Sequence, residues 1–443
     1  MAPVGPPGAS TTTDGTGVDL LRFATIGSVD DGKSTLIGRL LFDTRQLFDD
    51  QLEAVSVASR RRGVGEMDLS LVTDGLRAER EQGITIDVAY RYAATPTRKY
   101  IIADCPGHVQ YTANMATGAS TADLALVVVD ATGGLREQTR RHTCIAALLG
   151  VDQLLVVANK MDLVGWAQGS YDHVAEQMHE LAERLSIESC NVIPISALHG
   201  DNVVDRSDAA PWYDGPTVLE ALESAPAGGW SAVHGTHLGT GARLPVQWVL
   251  RHGDGRSYAG IVGGGTLRPG DEVVVLPGGH RTTVSSITTY DGALDEAQVG
   301  MSVAVDLDHD LDVSRGDLIA SADDPPEVTS ELEATVCWFG AKPLRVGDRL
   351  RVKHTTRVAP ARVTEVVAGF DVNDLSLTPA DELSDNEIGV VRLHTGTPLA
   401  VDSYRTNRIT GSFVLVDEAT NATLAACMVG APPLAESHPE AVH

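Results

Sequence analysis

Between residue 18 and about residue 226, short apolar runs alternate with amphipathic stretches. Leu20 to Ile26, Lys99 to Ala103, Leu154 to Ala158 and Asn191 to Ile195 read as strands, and Ser34 to Phe42, Glu137 to Leu149 and Tyr171 to Leu185 carry helical spacing. Such alternation predicts an α/β domain over 18–226, a mostly parallel sheet with helices on both faces. A Gly-, Ser- and His-rich stretch follows from Ala225 to Thr240, and 227–240 reads as a linker. The runs then become short and β-rich, as in Leu244 to Leu250, Glu272 to Leu276 and Thr283 to Thr288. Turn signals at Gly263-Gly264-Gly265, Pro269-Gly270 and Pro277-Gly278-Gly279 divide them, which predicts a β-barrel domain over 241–326. Pro325-Pro326 marks the next boundary, and runs such as Glu331 to Phe339 and Ser412 to Val416 predict a second β-barrel over 327–430. The ends, 1–17 and 431–443, read as a disordered and a flexible tail. No repeat of solenoid period is present.

The chemistry lies at the ends of the expected strands of the first domain, where open α/β sheets bind ligands. Gly27-Ser28-Val29-Asp30-Asp31-Gly32-Lys33-Ser34 fits G-x-x-x-x-G-K-[ST] between a strand and a helix. Its glycines let the backbone wrap a phosphate chain, and the loop amides and helix N-terminus point positive dipoles at it. Lys33 would reach the terminal phosphates, the Ser34 hydroxyl would bind Mg²⁺, and Thr35 completes the loop. Asn159-Lys160-Met161-Asp162 follows another strand. The Asp162 carboxylate can accept from both N1–H and the exocyclic amine of guanine, a pair of donors that adenine lacks. The Lys160 stem can lie over the base, and Asn159 can tie this loop to the phosphate loop. A backbone N–H of Ser196-Ala197-Leu198 can meet guanine O6.

Between these stand the metal and hydrolysis elements. Asp104-Cys105-Pro106-Gly107 ends a strand: Asp104 would hold Mg²⁺ through water, and the Gly107 amide would sense the γ-phosphate. His108 would orient the attacking water. In Arg80-Glu81-Gln82-Gly83-Ile84-Thr85-Ile86, Thr85 would complete the Mg²⁺ shell, the arrangement of a switch held by bound GTP and released on hydrolysis. GTP and Mg²⁺ are therefore the expected cofactors, with His108, Thr85 and Lys33 as the catalytic set.

Composition narrows the class. A formal net charge of −26 gives the body no general attraction to a nucleic-acid backbone, so no nucleic-acid partner is expected. Arg60-Arg61-Arg62 reads as a solvated surface run. The 443 residues suit two or three domains, and no apolar stretch is long enough to span a membrane. The start lacks a signal peptide's basic and apolar regions. Cys105, Cys144, Cys190, Cys337 and Cys427 are far apart, which argues against a metal cluster or disulfide framework and for small buried residues in a reducing, cytoplasmic setting. His234-Gly235-Thr236-His237 has the spacing of some nucleotidyltransferases but sits in the linker, without the strand and helix such a motif needs.

The motifs G-S-V-D-D-G-K-S-T, E-x-G-I-T-I, D-C-P-G-H and N-K-M-D resemble those of translational GTPases of the elongation factor Tu type. A longer set is similar to the large, GTPase (CysN-type) subunit of bacterial sulfate adenylyltransferase: Asp30 to Leu40, Asn114 to Ser120, Gln138-Thr139-Arg140-Arg141-His142, Trp212 to Thr217, Ser314 to Asp317 and Asn421 to Thr423. It spans roughly residues 18 to 430. This resemblance implies a cytoplasmic GTPase subunit in a heterodimer or higher assembly with a small, CysD-type catalytic subunit. That partner would form adenosine 5′-phosphosulfate and pyrophosphate from ATP and sulfate, with GTP hydrolysis driving the unfavourable step. Resemblance to elongation factors also implies a hydrophobic gate of Val29 and Ile84 around His108, ordinary loop packing being the alternative. A translational carrier is the alternative function, which RNA affinity falling steeply with salt would favour.

This chain departs from the family pattern at Ser28, usually Asn or His, at Cys105, usually Thr, and at Val109 and Ala113, usually Glu and Arg. None removes a phosphate, Mg²⁺ or guanine contact, but the last two lie in the second switch and raise the expectation of a specialised partner or pathway. No second phosphate loop of an adenylylsulfate kinase follows, so a kinase step is expected on another protein.

Overall fold

The computed structural model describes residues 19–47, 52–53, 55–57, 59, 67–72, 85, 87–226, 241–252 and 255–430. They fall into two compact units, divided at residue 229. The linker with His234 and His237, both tails and Arg60 to Arg62 lie outside the described residues.

The first unit is built on a sheet of six strands: β1 (Asp19–Gly27), β2 (Ala89–Ala94), β3 (Arg98–Asp104), β4 (Leu124–Asp130), β5 (Gln153–Asn159) and β6 (Ser189–Pro194). Their order is β2-β3-β1-β4-β5-β6. β2 joins β3 antiparallel and the other pairings are parallel. β4 is buried along its whole length, as expected of a strand covered on both faces. On one face Leu21, Phe23, Leu126, Val128 and Val157 pack with Leu36, Ile37 and Leu40 of α1 (Lys33–Asp43) and with Leu222 of α5 (Val218–Ser224). The alternate residues Ala24, Ile26, Ala125 and Val127 are also fully buried. The helices α2 (Thr112–Ala119), α3 (Glu137–Leu148) and α4 (Gln168–Arg184) complete the cover against β1, β4, β5 and β6. Each fully buried Leu, Ile, Val or Phe among them contributes about 1.5–3 kcal/mol. The strands are thus anchored along their middles, and their C-terminal ends are left to carry loops.

The second unit contains two antiparallel barrels. The first closes six strands, β7 (Arg243–His252), β8 (Gly255–Ile261), β9 (Glu272–Leu276), β10 (His280–Thr289), β11 (Ser302–Leu307) and β12 (Leu318–Ser321), in the ring order β9-β12-β7-β8-β11-β10. The second closes β13 (Glu327–Trp338), β14 (Arg349–His354), β15 (Arg357–Phe370), β16 (Ile388–Val401), β17 (Ser412–Val416) and β18 (Thr423–Val429), in the ring order β14-β17-β18-β13-β16-β15. Closure leaves no unpaired main edge. Leu244, Val246, Tyr258, Val275, Ile287 and Val305 fill the first core, and Leu332, Val336, Val352, Val363, Val391 and Leu415 the second.

A buried ion pair joins the two barrels. Arg243, 1% exposed, grips Asp402 with Nε at 2.9 Å and Nη2 at 3.0 Å, and its Nη1 donates to the Asp324 carbonyl at 2.7 Å. Nearby, Asn407 Nδ2 donates to the Gly263 carbonyl at 2.8 Å. Arg243→Ala would strand a buried carboxylate, and removal of one partner of such a pair costs about 3–5 kcal/mol. The expected result is a lower urea midpoint for the second unit; an unshifted midpoint would show the pair to be dispensable.

Candidate guanine-nucleotide site

The phosphate-loop segment leaves β1 and enters α1 through backbone that favours glycine. Gly32 has φ +97°, and a Cβ there would strike Asn159 Nδ2. Asp30 also adopts a left-handed φ of 64°. Lys33 is buried under the loop, its Nζ donating to the Gly27 carbonyl at 3.1 Å and the Ser28 carbonyl at 2.7 Å. Burial draws its pKa down, against the pull of Asp31 and Asp104. Asp31 accepts the Ser28 N–H at 2.8 Å, while burial pushes its carboxyl up, opposed by Lys33. Ser34 is the second residue of α1 and is half-buried, as is Thr35.

The end of β3 lies against this loop. Asp104 is 1% exposed, and the Thr25 hydroxyl donates to its Oδ1 at 3.4 Å. A Cβ on Gly107 would collide with Lys33 Nζ and approach the Gly27 carbonyl oxygen to 2.9 Å, so only glycine allows this close approach. Cys105 is fully buried, and burial pushes its thiol up. His108 caps the short 3₁₀ turn Val109–Tyr111: its Nδ1 accepts the Gln110 N–H at 3.2 Å, and its ring lies 5.9 Å from that of Tyr111. Val109 beside it is 40% exposed. Thr85 is described and half-buried, but residues 84 and 86 are not, so the Val29–Ile84 gate lies outside the described residues.

The ends of β5 and β6 are tied to the same loop. Asn159 Nδ2 donates to the Asp31 carbonyl at 2.8 Å, and its Oδ1 accepts the Ala197 N–H at 3.0 Å. Lys160 takes a left-handed φ of 64°, and its Nζ lies 2.7 Å from Asp130 Oδ2. Asp162 is partly exposed, with His199 Nε2 at 3.9 Å. Ser196 and Ala197 are buried and Leu198 is exposed. Gly27 to Thr35, Asp104 to His108, Asn159, Lys160, Asp162 and Ser196 to Leu198 are thus gathered at one end of the sheet.

Four supports were not given roles by sequence reasoning. From α1, Arg39 donates to the Ala197 carbonyl at 3.3 Å and the Leu198 carbonyl at 2.5 Å. Asp130 at the end of β4 holds Lys160; burial alone would raise its carboxyl, but hydrogen bonds from Lys160 and Thr132 bring it below the usual range. The α3 sequence Gln138 to His142, noted only as a family mark, puts two buried side chains by the phosphate loop. Thr139 Oγ1 meets Ser28 Oγ at 2.8 Å, and His142 Nε2 lies 2.7 Å from Gln138 Nε2.

Burial, with Lys33 and Arg141 adding to it, pushes His142 down to about 3, the Gly27 carbonyl acting the other way. An unfolded histidine titrates near 6.5. Between those values the unfolded chain binds the extra proton, so stability is lost as pH falls, by about 1.4 kcal/mol per pH unit. The expected result is that His142→Gln flattens the fall in urea midpoint between pH 6.5 and 4. An equally steep fall in the variant would contradict a buried neutral His142.

Residues 18–227 match the elongation factor Tu GTP binding domain family, and residues 331–430 match the GTP-eEF1A C-terminal domain-like family. With a parallel-sheet phosphate-loop domain followed by two barrels, the chain is a GTPase of the elongation factor Tu superfamily. It is 52% identical over 417 residues to the bifunctional enzyme CysN/CysC of Mycobacterium tuberculosis (strain CDC 1551 / Oshkosh), covering 93% of this chain and 67% of that protein. It is 48% identical to sulfate adenylyltransferase subunit 1 of Laribacter hongkongensis, covering 93% of this chain and 85% of the relative, and 48% identical to that of Aeromonas hydrophila, covering 93% and 86%. The chain belongs to the sulfate adenylyltransferase subunit 1 family.

Proposed function

We propose that this chain is the GTP-hydrolysing subunit of a cytoplasmic ATP sulfurylase. It works with a small catalytic subunit that makes adenosine 5′-phosphosulfate and pyrophosphate from ATP and sulfate. The observation that carries the reading is identity of 46–48% along 85–86% of several relatives named as subunit 1.

In this reading Asp162 accepts from the two guanine donors, and the Lys160 stem covers the base with its ammonium fixed on Asp130. Lys33 leaves the Gly27 and Ser28 carbonyls for the β- and γ-phosphates. Ser34 and Thr85 offer hydroxyls and Asp104 a buried carboxylate, the hard oxygen donors that suit Mg²⁺. The ion would neutralise charge between the phosphates. His108 orients the attacking water, and the Gly107 amide responds to the γ-phosphate. The sulfate anhydride is much less stable than the ATP anhydride consumed, so its formation needs a second, favourable reaction. GTP hydrolysis supplies it through movements of the second switch, in which Val109 and Ala113 lie and which senses the partner.

The test is a pull-down of the tagged full chain from its native extract. Co-purification of a small subunit, with sulfate-dependent pyrophosphate release, supports the reading. GTPase activity with bound RNA or ribosomes and no sulfate dependence would place the protein among translational carriers.

A further inference from the structure

Four charged side chains run in series from the phosphate loop to the base loop. Asp31 Oδ1 is buried without a hydrogen-bond partner, and Arg136 Nη1 stands 3.6 Å from it. The same Nη1 donates to the Val29 carbonyl at 3.2 Å, and Nη2 lies 3.9 Å from Asp130 Oδ2. Asp130 Oδ2 in turn holds Lys160 Nζ at 2.7 Å, while its Oδ1 accepts the Thr132 N–H at 2.9 Å and hydroxyl at 2.6 Å. Arg136 is 45% exposed on the extended residue that precedes α3. It is the link between the two ends.

We propose that Arg136 is a positioning residue that couples the phosphate loop to the base loop through Asp130 and Lys160. The inference rests on the guanine-nucleotide reading of this site. Two features of geometry support it. The Val29–Asp30 peptide is trans, so a carbonyl held on the guanidinium turns the Asp30 N–H to the opposite side, away from Arg136. Successive N–H groups aimed that way make an anion-binding concavity. At the other end, an Asp130 carboxylate shared by Arg136 and Lys160 fixes the ammonium, and with it the stem expected over the base. A guanidinium presents several donors in a fixed fork, which lets it hold a carbonyl and flank carboxylates on two sides. Lysine, as a point charge, cannot.

Equilibrium binding of GTP, ATP and inosine triphosphate to the full chain tests this, with Arg136→Ala, Arg136→Lys and Asp130→Asn compared with the parent. Inosine triphosphate lacks the exocyclic amine that Asp162 would accept. In Arg136→Ala we expect GTP affinity to fall about fivefold, the scale of a partly exposed charge-assisted contact. We also expect the preference for GTP over inosine triphosphate to shrink severalfold, although Arg136 contacts the phosphate side. Asp130→Asn should shrink the same preference, and Arg136→Lys should recover only part of the loss. A base preference equal to the parent's in Arg136→Ala would overturn the coupling, whatever Asp130→Asn does and whatever happens to phosphate affinity or melting temperature. A parent chain that did not prefer guanine nucleotides over ATP would instead overturn the site reading, and the coupling with it.

Discussion

Asp162→Asn is expected to convert guanine recognition into xanthine recognition. In the proposed site the carboxylate would accept two hydrogen bonds, from N1–H and from the exocyclic amine. The amide replaces one acceptor oxygen with a donor, which then faces the guanine amine. Hydrogen bonds to a charged group are worth about 1.5–3 kcal/mol each, so losing one and opposing its donor should weaken GTP by about a hundredfold. Xanthosine triphosphate carries a carbonyl where guanine carries the amine, and the new amide can donate to it. The backbone of the loop should not move, because Asn159 holds both the Asp31 carbonyl and the Ala197 amide. Competition binding with GTP and xanthosine triphosphate reads the outcome. Unchanged GTP affinity and no gain for the xanthine nucleotide would remove Asp162 from the base site.

His108→Ala is expected to leave GTP affinity within about twofold and to lower the hydrolysis rate by about a hundredfold or more, the scale of a lost proton-handling or water-orienting group. Binding should survive because Lys33, the loop amides and Asp104 do not depend on the imidazole. Its Nδ1 is engaged by the Gln110 N–H, so Nε2 is the ring nitrogen that would orient the water in the proposed mechanism. His108→Gln should keep part of the rate, since a glutamine orients the attacking water in other phosphate-loop GTPases. Single-turnover hydrolysis with separately measured binding distinguishes the two effects. Normal turnover in His108→Ala would take this residue out of the mechanism.

The phosphate loop was legible because its chemistry demands fixed spacing within one strand–loop–helix unit. The segments Asn159 to Asp162 and Ser196 to Leu198 stand out for a similar reason, each following an apolar strand run. Their supports were not, because they act across the fold. Arg39 reaches Ala197 from 158 positions away, and nothing local to either marks the contact. Asp130 was closer to being readable: it ends a buried run, and the parallel register of β4 and β5 sets it opposite Asn159, one residue before Lys160. Thr139 and His142 stand in the sequence only as part of the family resemblance, since burial of a polar face cannot be seen without the loop above it. Among the elements, Glu272–Leu276 and Ser412–Val416 coincide with their expected strands. α4 begins at Gln168 rather than Tyr171, because its first turn, Gln168-Gly169-Ser170, has no apolar face to announce it. Long β15 and β16 lie outside the expected runs: β15 contains Pro360, and β16 is interrupted by Gly396 and Pro398 within an exposed stretch, so neither reads as one strand.

In the proposed function, GTP hydrolysis on this chain drives sulfate activation on its partner. The most direct measurement follows phosphate release from GTP and pyrophosphate release from ATP in one reaction of the purified complex, with sulfate present or withheld. ATP and sulfate together are expected to accelerate GTP hydrolysis, GTP to raise pyrophosphate release, and His108→Ala to abolish both effects. Pyrophosphate release indifferent to GTP and to His108→Ala would contradict it.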